Sequence, residues 1–330
     1  MAHLPLSIAV GAYDRVLPLT DGSVAIDGVD PVFLHLEPEE IFFRAFRDRV
    51  FDVCELSLSS SVVKCAEGTW DYVGVPVFPS RGFRHTAIYI RTDRGIETPR
   101  DLAGRRVGIP EYQLTANVWV RALLEDEYGL DPASIRWVQG GQEEPGRVEK
   151  VGIALRPDIV IEPAPEGATL SAMLAAGEID AIIAPRPPSC FERGAPRVGW
   201  LFRSPAAEAA DWYRKTRIFP IMHLLGIHKT LVELHPWLPG ALLKAFTRAK
   251  DIAVRRLSDN SAVKVTLPFL EERVTEAKAL MGDDYWPYGL EENRHVLDFF
   301  LDHHHRQGLS SRRVKPEELF HPSVYTSFRI

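Results

Sequence analysis

Cysteine is scarce in this chain of 330 residues. Its three cysteines, Cys54, Cys65 and Cys190, have neither the even count of a disulfide scaffold nor the spacing of a zinc site. Reduced thiols in a cytoplasm are the expectation. Long apolar runs are absent, and no stretch approaches the roughly 20 residues that span a bilayer. The first residues, MAHLPLSIAVGAYDR, lack a basic segment followed by a long apolar core, so no signal peptide is expected. A basic face is missing too. The formal net charge is −6 and no face rich in Lys and Arg stands out, which argues against a nucleic-acid partner. There is no HExxH, no phosphate-cradling glycine loop and no dinucleotide fingerprint, and the glycines of QGGQ (139–142) lack the spacing for one. The tract His303-His304-His305 does not supply a metal site, since consecutive helical residues point about 100° apart. A surface helix face is expected there, with no metal and no cofactor. A small-molecule protein without membrane or nucleic-acid partners remains; a homo-oligomer is compatible with it.

What is present is the patterning of an α/β protein too long for one core. Residues 6–11, 29–36, 51–56, 72–78 and 86–91 read as strands and 38–47 as an amphipathic helix, giving a largely parallel βαβαβ unit through about residue 95. A second unit of the same style starts near Gly104. It has strands at 106–109, 135–139, 152–161 (with a break open at Pro157) and 181–184, and helices at 115–128 and 168–176, with Gly177 as a C-cap. The apolar stretch 218–227 carries the chain back to the first unit. Helices follow at 238–257, 269–280 and 290–307, then a tail expected to wrap the surface. The expected organisation is therefore one lobe from 1–100 and 215–330, interrupted by a second lobe at 101–214. Linkers near 92–104 and 203–217 imply a hinge and a ligand cleft.

The stretch RDLAGRRVGIPEYQLTA (100–116) organises this reading. The turn Pro110-Glu111-Tyr112-Gln113 follows a strand and precedes a long helix, and in open α/β sheets ligands sit in that crevice. Free N–H groups and the helix dipole favour an anion there, so Glu111, Tyr112 and Thr115 are binding candidates. A plain capping turn is the alternative.

Two stretches resemble segments of type II periplasmic-binding-protein folds: DLAGRRVG (101–108) resembles the segment entering the second lobe and GEIDA (177–181) a strand-entry motif later in that lobe. Others resemble one enzyme family on that fold, the 4,5-dihydroxyphthalate decarboxylases: FDVCELS (51–57), RGFRH (81–85), GIPEY (108–112), FPIMH (219–223), YGLEEN (288–293) and EELF (317–320). The resemblance covers most of the chain. It implies a cofactor-independent carboxy-lyase that removes one carboxylate from a hydroxylated aromatic diacid, giving protocatechuate in phthalate degradation. A solute-binding protein and a chorismate-dehydratase-like lyase are the alternatives on this fold.

Such a reaction needs a grip on carboxylates, a proton for the ring carbon and stabilisation of charge in the ring. Arginine suits the first task through its bidentate fork. Arg81 and Arg84 lie within one short loop with His85, and Arg186 stands between prolines after a strand. His85 or His223 would supply the proton, although either could be a structural histidine. Glu55, at a strand's carboxyl end, would polarise a ring hydroxyl, its pKa raised by partial burial. Ser57 would donate to a carboxylate or cap the next helix. Tyr13, Asp14 and Arg15 occupy the first ligand-side loop, where Tyr or Arg could line the pocket.

Overall fold

The computed structural model describes residues 3–259 and 261–326. The chain divides into two compact units: the first runs to Arg81 and adds Ile221–Asp298 and the chain from Val314 on, and the second comprises Gly82–Pro220 and Phe299–Arg313.

The first unit is built on a sheet of β1 (Leu4–Val10), β2 (Val29–His35), β3 (Val53–Ser57), β4 (Tyr72–Arg81) and β11 (Ile221–His228), ordered β2-β1-β3-β11-β4. β1 pairs in parallel with β2 and β3, as the alternating strand and helix patterns predict. The returning strand β11 enters between β3 and β4, antiparallel to both. Its near-continuous apolar run suits a position with neighbours on both sides, and Leu224, Leu225 and Ile227 are fully buried. Gly226 is required there, because a Cβ would lie 2.4 Å from the Leu56 side chain across the sheet.

In the second unit, β5 (Ile88–Arg91), β6 (Arg106–Ile109), β7 (Arg136–Gln139), β8 (Ile161–Pro163), β9 (Ala181–Ile183) and β10 (Val198–Trp200) form a sheet ordered β10-β5-β9-β6-β7-β8. Leu170, Leu174, Ile179 and Ile182 anchor one of its core clusters.

Several expectations change. The strand read at 86–91 is not part of the first sheet: β5 runs antiparallel to β9 and β10. The second unit accordingly begins at Gly82, not at 101, and it includes 299–313. The linker read at 203–217 is largely the helix Pro205–Thr216, with Trp212 and Tyr213 buried. Of the strand read at 152–161 only Ile161 lies in a strand, β8; the break open at Pro157 extends over the rest. The histidine tract is not a surface face, since His303 and His304 are buried. The tail does more than wrap the surface: Leu319, Phe320 and Val324 are buried, and Phe320 bridges to Gly74.

Candidate active site

In the first unit the carboxyl ends of β1, β3 and β4 lie at the same edge of the sheet as the start of β11. Glu55 sits near the end of β3, fully buried. Its carboxylate accepts the Gly11 N–H (3.0 Å), the Tyr13 hydroxyl (2.8 Å) and Nδ1 of His223 (2.5 Å). Gly11 is needed for this: a Cβ would come within 2.7 Å of the Tyr13 ring, which folds back over it. The β4–β11 register shifts on either side of His223, an irregularity of the kind that re-aims a side chain at a sheet edge. The His223 ring lies edge-on to Phe42 at 4.8 Å.

Burial by itself raises the Glu55 pKa, but the hydrogen bond and charge of His223, the Gly11 N–H and the Tyr13 hydroxyl outweigh it, and the net shift is downward. This corrects the expectation of a raised pKa. An ionised Glu55 makes Nδ1 of His223 a donor, so Nε2 is the nitrogen free for acid–base work. The side chain of His223 is 17% exposed. Tyr13 is held protonated by burial and by the charge of Glu55.

Arg15 lies against the same group, over the rings of Tyr13 (4.2 Å) and Trp286 (4.5 Å). Its Nε donates to the Pro79 carbonyl at 2.6 Å and its Nη1 to Asp14 at 3.1 Å. Arg81 is buried and donates to Asn293 and to the Pro287 carbonyl (2.7 Å), so it ties down the loop that follows Trp286. Ser57 caps the helix Leu58–Glu67 by accepting the Ser60 N–H.

The remaining candidates belong to the second unit. His85 is buried, both ring nitrogens lack a hydrogen-bond partner, and Phe202 and Trp212 pack on it at 5.3 and 5.9 Å. Burial pushes its pKa down to about 4, so the ring is neutral at pH 7. Arg84 is partly buried, and desolvation draws its pKa down to about 10. Arg186 is exposed.

Glu111 is fully buried between Arg147 and Lys150, each 2.6 Å away, so its charge is already compensated. Tyr112 is core: its ring meets Trp137 at 5.7 Å and carries the Arg121 guanidinium at 3.7 Å. Thr115 is buried at the start of the helix Thr115–Tyr128. The N–H groups of Tyr112 and Gln113 do meet a carboxyl group, but it is the chain's own Glu149, at 2.6 and 3.4 Å. Nothing in the local pattern around Glu149 marked it. Glu125, Asp126 and His303 offer ligand atoms within 4.8 Å of one another, and Arg306 pairs with both carboxylates, supplying charge that a cation would otherwise bring.

Comparison with known proteins identifies the family. The chain is 59% identical over 330 residues, all of both chains, to a 4,5-dihydroxyphthalate decarboxylase of Comamonas testosteroni. It is a member of the 4,5-dihydroxyphthalate decarboxylase family. An enzyme of the same name from Pseudomonas putida is 61% identical over 214 residues, which are 65% of this chain and 83% of that one. A profile described as NMT1/THI5 like matches residues 84–146. The fold is that of periplasmic binding proteins. The aliphatic sulphonate binding protein SsuA of Escherichia coli superposes with a TM-score of 0.55 at 15% identity, covering 98% of this chain and 99% of that one. Members of the family are carboxy-lyases, and among the described residues no helix is long and apolar enough to cross a membrane.

Proposed function

We infer that this chain removes one carboxylate of 4,5-dihydroxyphthalate as CO2, giving protocatechuate in phthalate degradation, without a bound cofactor. The full-length 59% identity to the Comamonas testosteroni enzyme carries the reading. The first unit supplies chemistry that suits it. The pair of electrons of the breaking C–C bond stays on the ring carbon, which takes a proton from Nε2 of His223. Glu55 holds the Nδ1 proton in place and stabilises the imidazolium before transfer, acting as a positioning residue. The ring hydroxyl para to the departing group spreads the charge that develops.

Within this reading, Ser57 caps its helix and Arg81 orders a loop, so neither grips substrate directly. Arg84, His85, Glu111, Tyr112, Thr115 and Arg186 bear on it only as far as the second unit contributes. A cytoplasmic location belongs to the same reading: Cys54, Cys65 and Cys190 form no disulfide among the described residues, which suits a reducing compartment. The test is incubation of purified, chelator-treated protein with 4,5-dihydroxyphthalate while CO2 and protocatechuate are followed. Stoichiometric release of both is expected; saturable binding without CO2 would instead describe a solute-binding protein.

A further inference from the structure

Tyr288 has no part in the chemistry described so far, and its position needs a reason. It is 6% exposed in the first unit, and its hydroxyl is buried without a hydrogen-bond partner. Buried hydroxyls are nearly always satisfied, so an orphan calls for an explanation. Slack in the loop does not provide one. The Trp286 indole N–H donates to the Phe78 carbonyl (3.0 Å), and the Gly289 N–H donates to the Pro76 carbonyl (2.8 Å). Arg81 and Asn293 both donate to the Pro287 carbonyl, at 2.7 and 3.1 Å. Gly289 takes a φ of +102°, which a residue with a side chain rarely adopts. The hydroxyl is therefore held where it is by contacts on both sides.

The loop that holds it borders the candidate site: Trp286, two residues before Tyr288, stacks on Arg15 at 4.5 Å, and Arg15 stacks in turn on Tyr13 at 4.2 Å. Burial chiefly raises the Tyr288 pKa, Arg15 and Arg81 oppose it, and Glu55 and Asp14 add to it, so all four charges act on the hydroxyl and it remains a proton donor. Arg15 is pinned between two rings, and three of its five N–H groups are engaged, by Pro79 and Asp14. One N–H on each terminal nitrogen is left.

We propose that the Tyr288 hydroxyl and the outer end of the Arg15 guanidinium form the receptor for the carboxylate that the substrate keeps. This rests on the decarboxylase reading for the identity of the ligand. The kept carboxylate is assigned because strong donors stabilise a carboxylate in the ground state. On the departing group they would oppose its conversion to neutral CO2. On the retained group they bind ground state and transition state alike.

The test is Tyr288→Phe, with Arg15→Lys as a second variant that keeps the charge and loses the fork. Titration with phthalate, protocatechuate and catechol separates carboxylate from hydroxyl recognition, since phthalate lacks the hydroxyls and catechol the carboxylate. Both variants should weaken phthalate and protocatechuate by roughly tenfold and leave catechol unchanged. KM should rise by a similar factor while kcat stays within about twofold. Thermal stability of Tyr288→Phe should be equal or higher, because no protein partner is lost. Unchanged diacid affinity, a loss confined to catechol, or a lowered melting midpoint with normal kinetics would each overturn the receptor. If the wild type binds phthalate through Tyr288 yet releases no CO2, the decarboxylase reading fails and the receptor stands. If it turns over and Tyr288→Phe is indistinguishable from it, the reverse holds.

Discussion

A histidine whose Nδ1 is bound by a buried carboxylate has one nitrogen left for acid–base work, and His223 is in that position. His223→Asn should lower kcat by about 10²–10⁴-fold. Stability should fall as well, because the buried Glu55 carboxylate loses its shortest hydrogen bond, and steady-state kinetics beside thermal melts separate the two effects. His85 is the opposite kind of histidine. Its pKa falls from 6.5 to about 4 through burial, so the folded protein resists the proton that the unfolded chain accepts. The stability this contributes is present above about pH 6.5 and is lost as pH falls toward 4. His85→Phe should flatten the decline of the melting midpoint across that window. Both histidines were visible in the sequence as candidates, but only tertiary structure separates a carboxylate-bound imidazole from one packed among aromatic rings. The sign of the Glu55 shift was illegible for the same reason: its three donors come from the loop after β1 and from β11.

At the scale of elements, the segment 140–160 between β7 and β8 has no regular structure of its own. Loops of that length are usually functional or mobile. This one places Glu149 on the N–H groups of Tyr112 and Gln113, beside Gln139. Burial and the charge of Glu111 push the Glu149 pKa up to about 7, with the Tyr112 and Gln113 N–H groups and then Arg121 pulling the other way. A raised carboxyl pKa means that the folded state prefers the protonated form. The associated stability is therefore full below about pH 4.5 and is lost as pH rises through 7. Glu149→Gln should raise the melting midpoint at pH 8 more than at pH 5. An equal shift at both pH values would remove Glu149 as the titrating group. The anion-seeking turn at the head of the helix Thr115–Tyr128 was legible from local pattern, whereas its occupant comes from a loop that carries no periodic signal.

For the whole molecule, the tail is where sequence reading went furthest astray. Phe320 is 2% exposed, and its backbone pairs with Gly74, where a Cβ would lie 2.5 Å from the Leu319 carbonyl. Phe320→Ala should cost about 3–5 kcal/mol, the usual range for emptying a buried aromatic site, measurable by urea unfolding. A loss below about 1 kcal/mol would mean that the tail is a dispensable strap.

The sequence by itself determined the α/β class, most strands and helices, the return of the chain to its first unit and the family, because periodicity, caps and local motifs act over a few residues. Tertiary structure alone decided that β5 joins the second sheet, that β11 threads between β3 and β4, and that Glu55 meets His223. Pairing across 168 residues is a long-range event, governed by packing and by the partners that a buried charge must find.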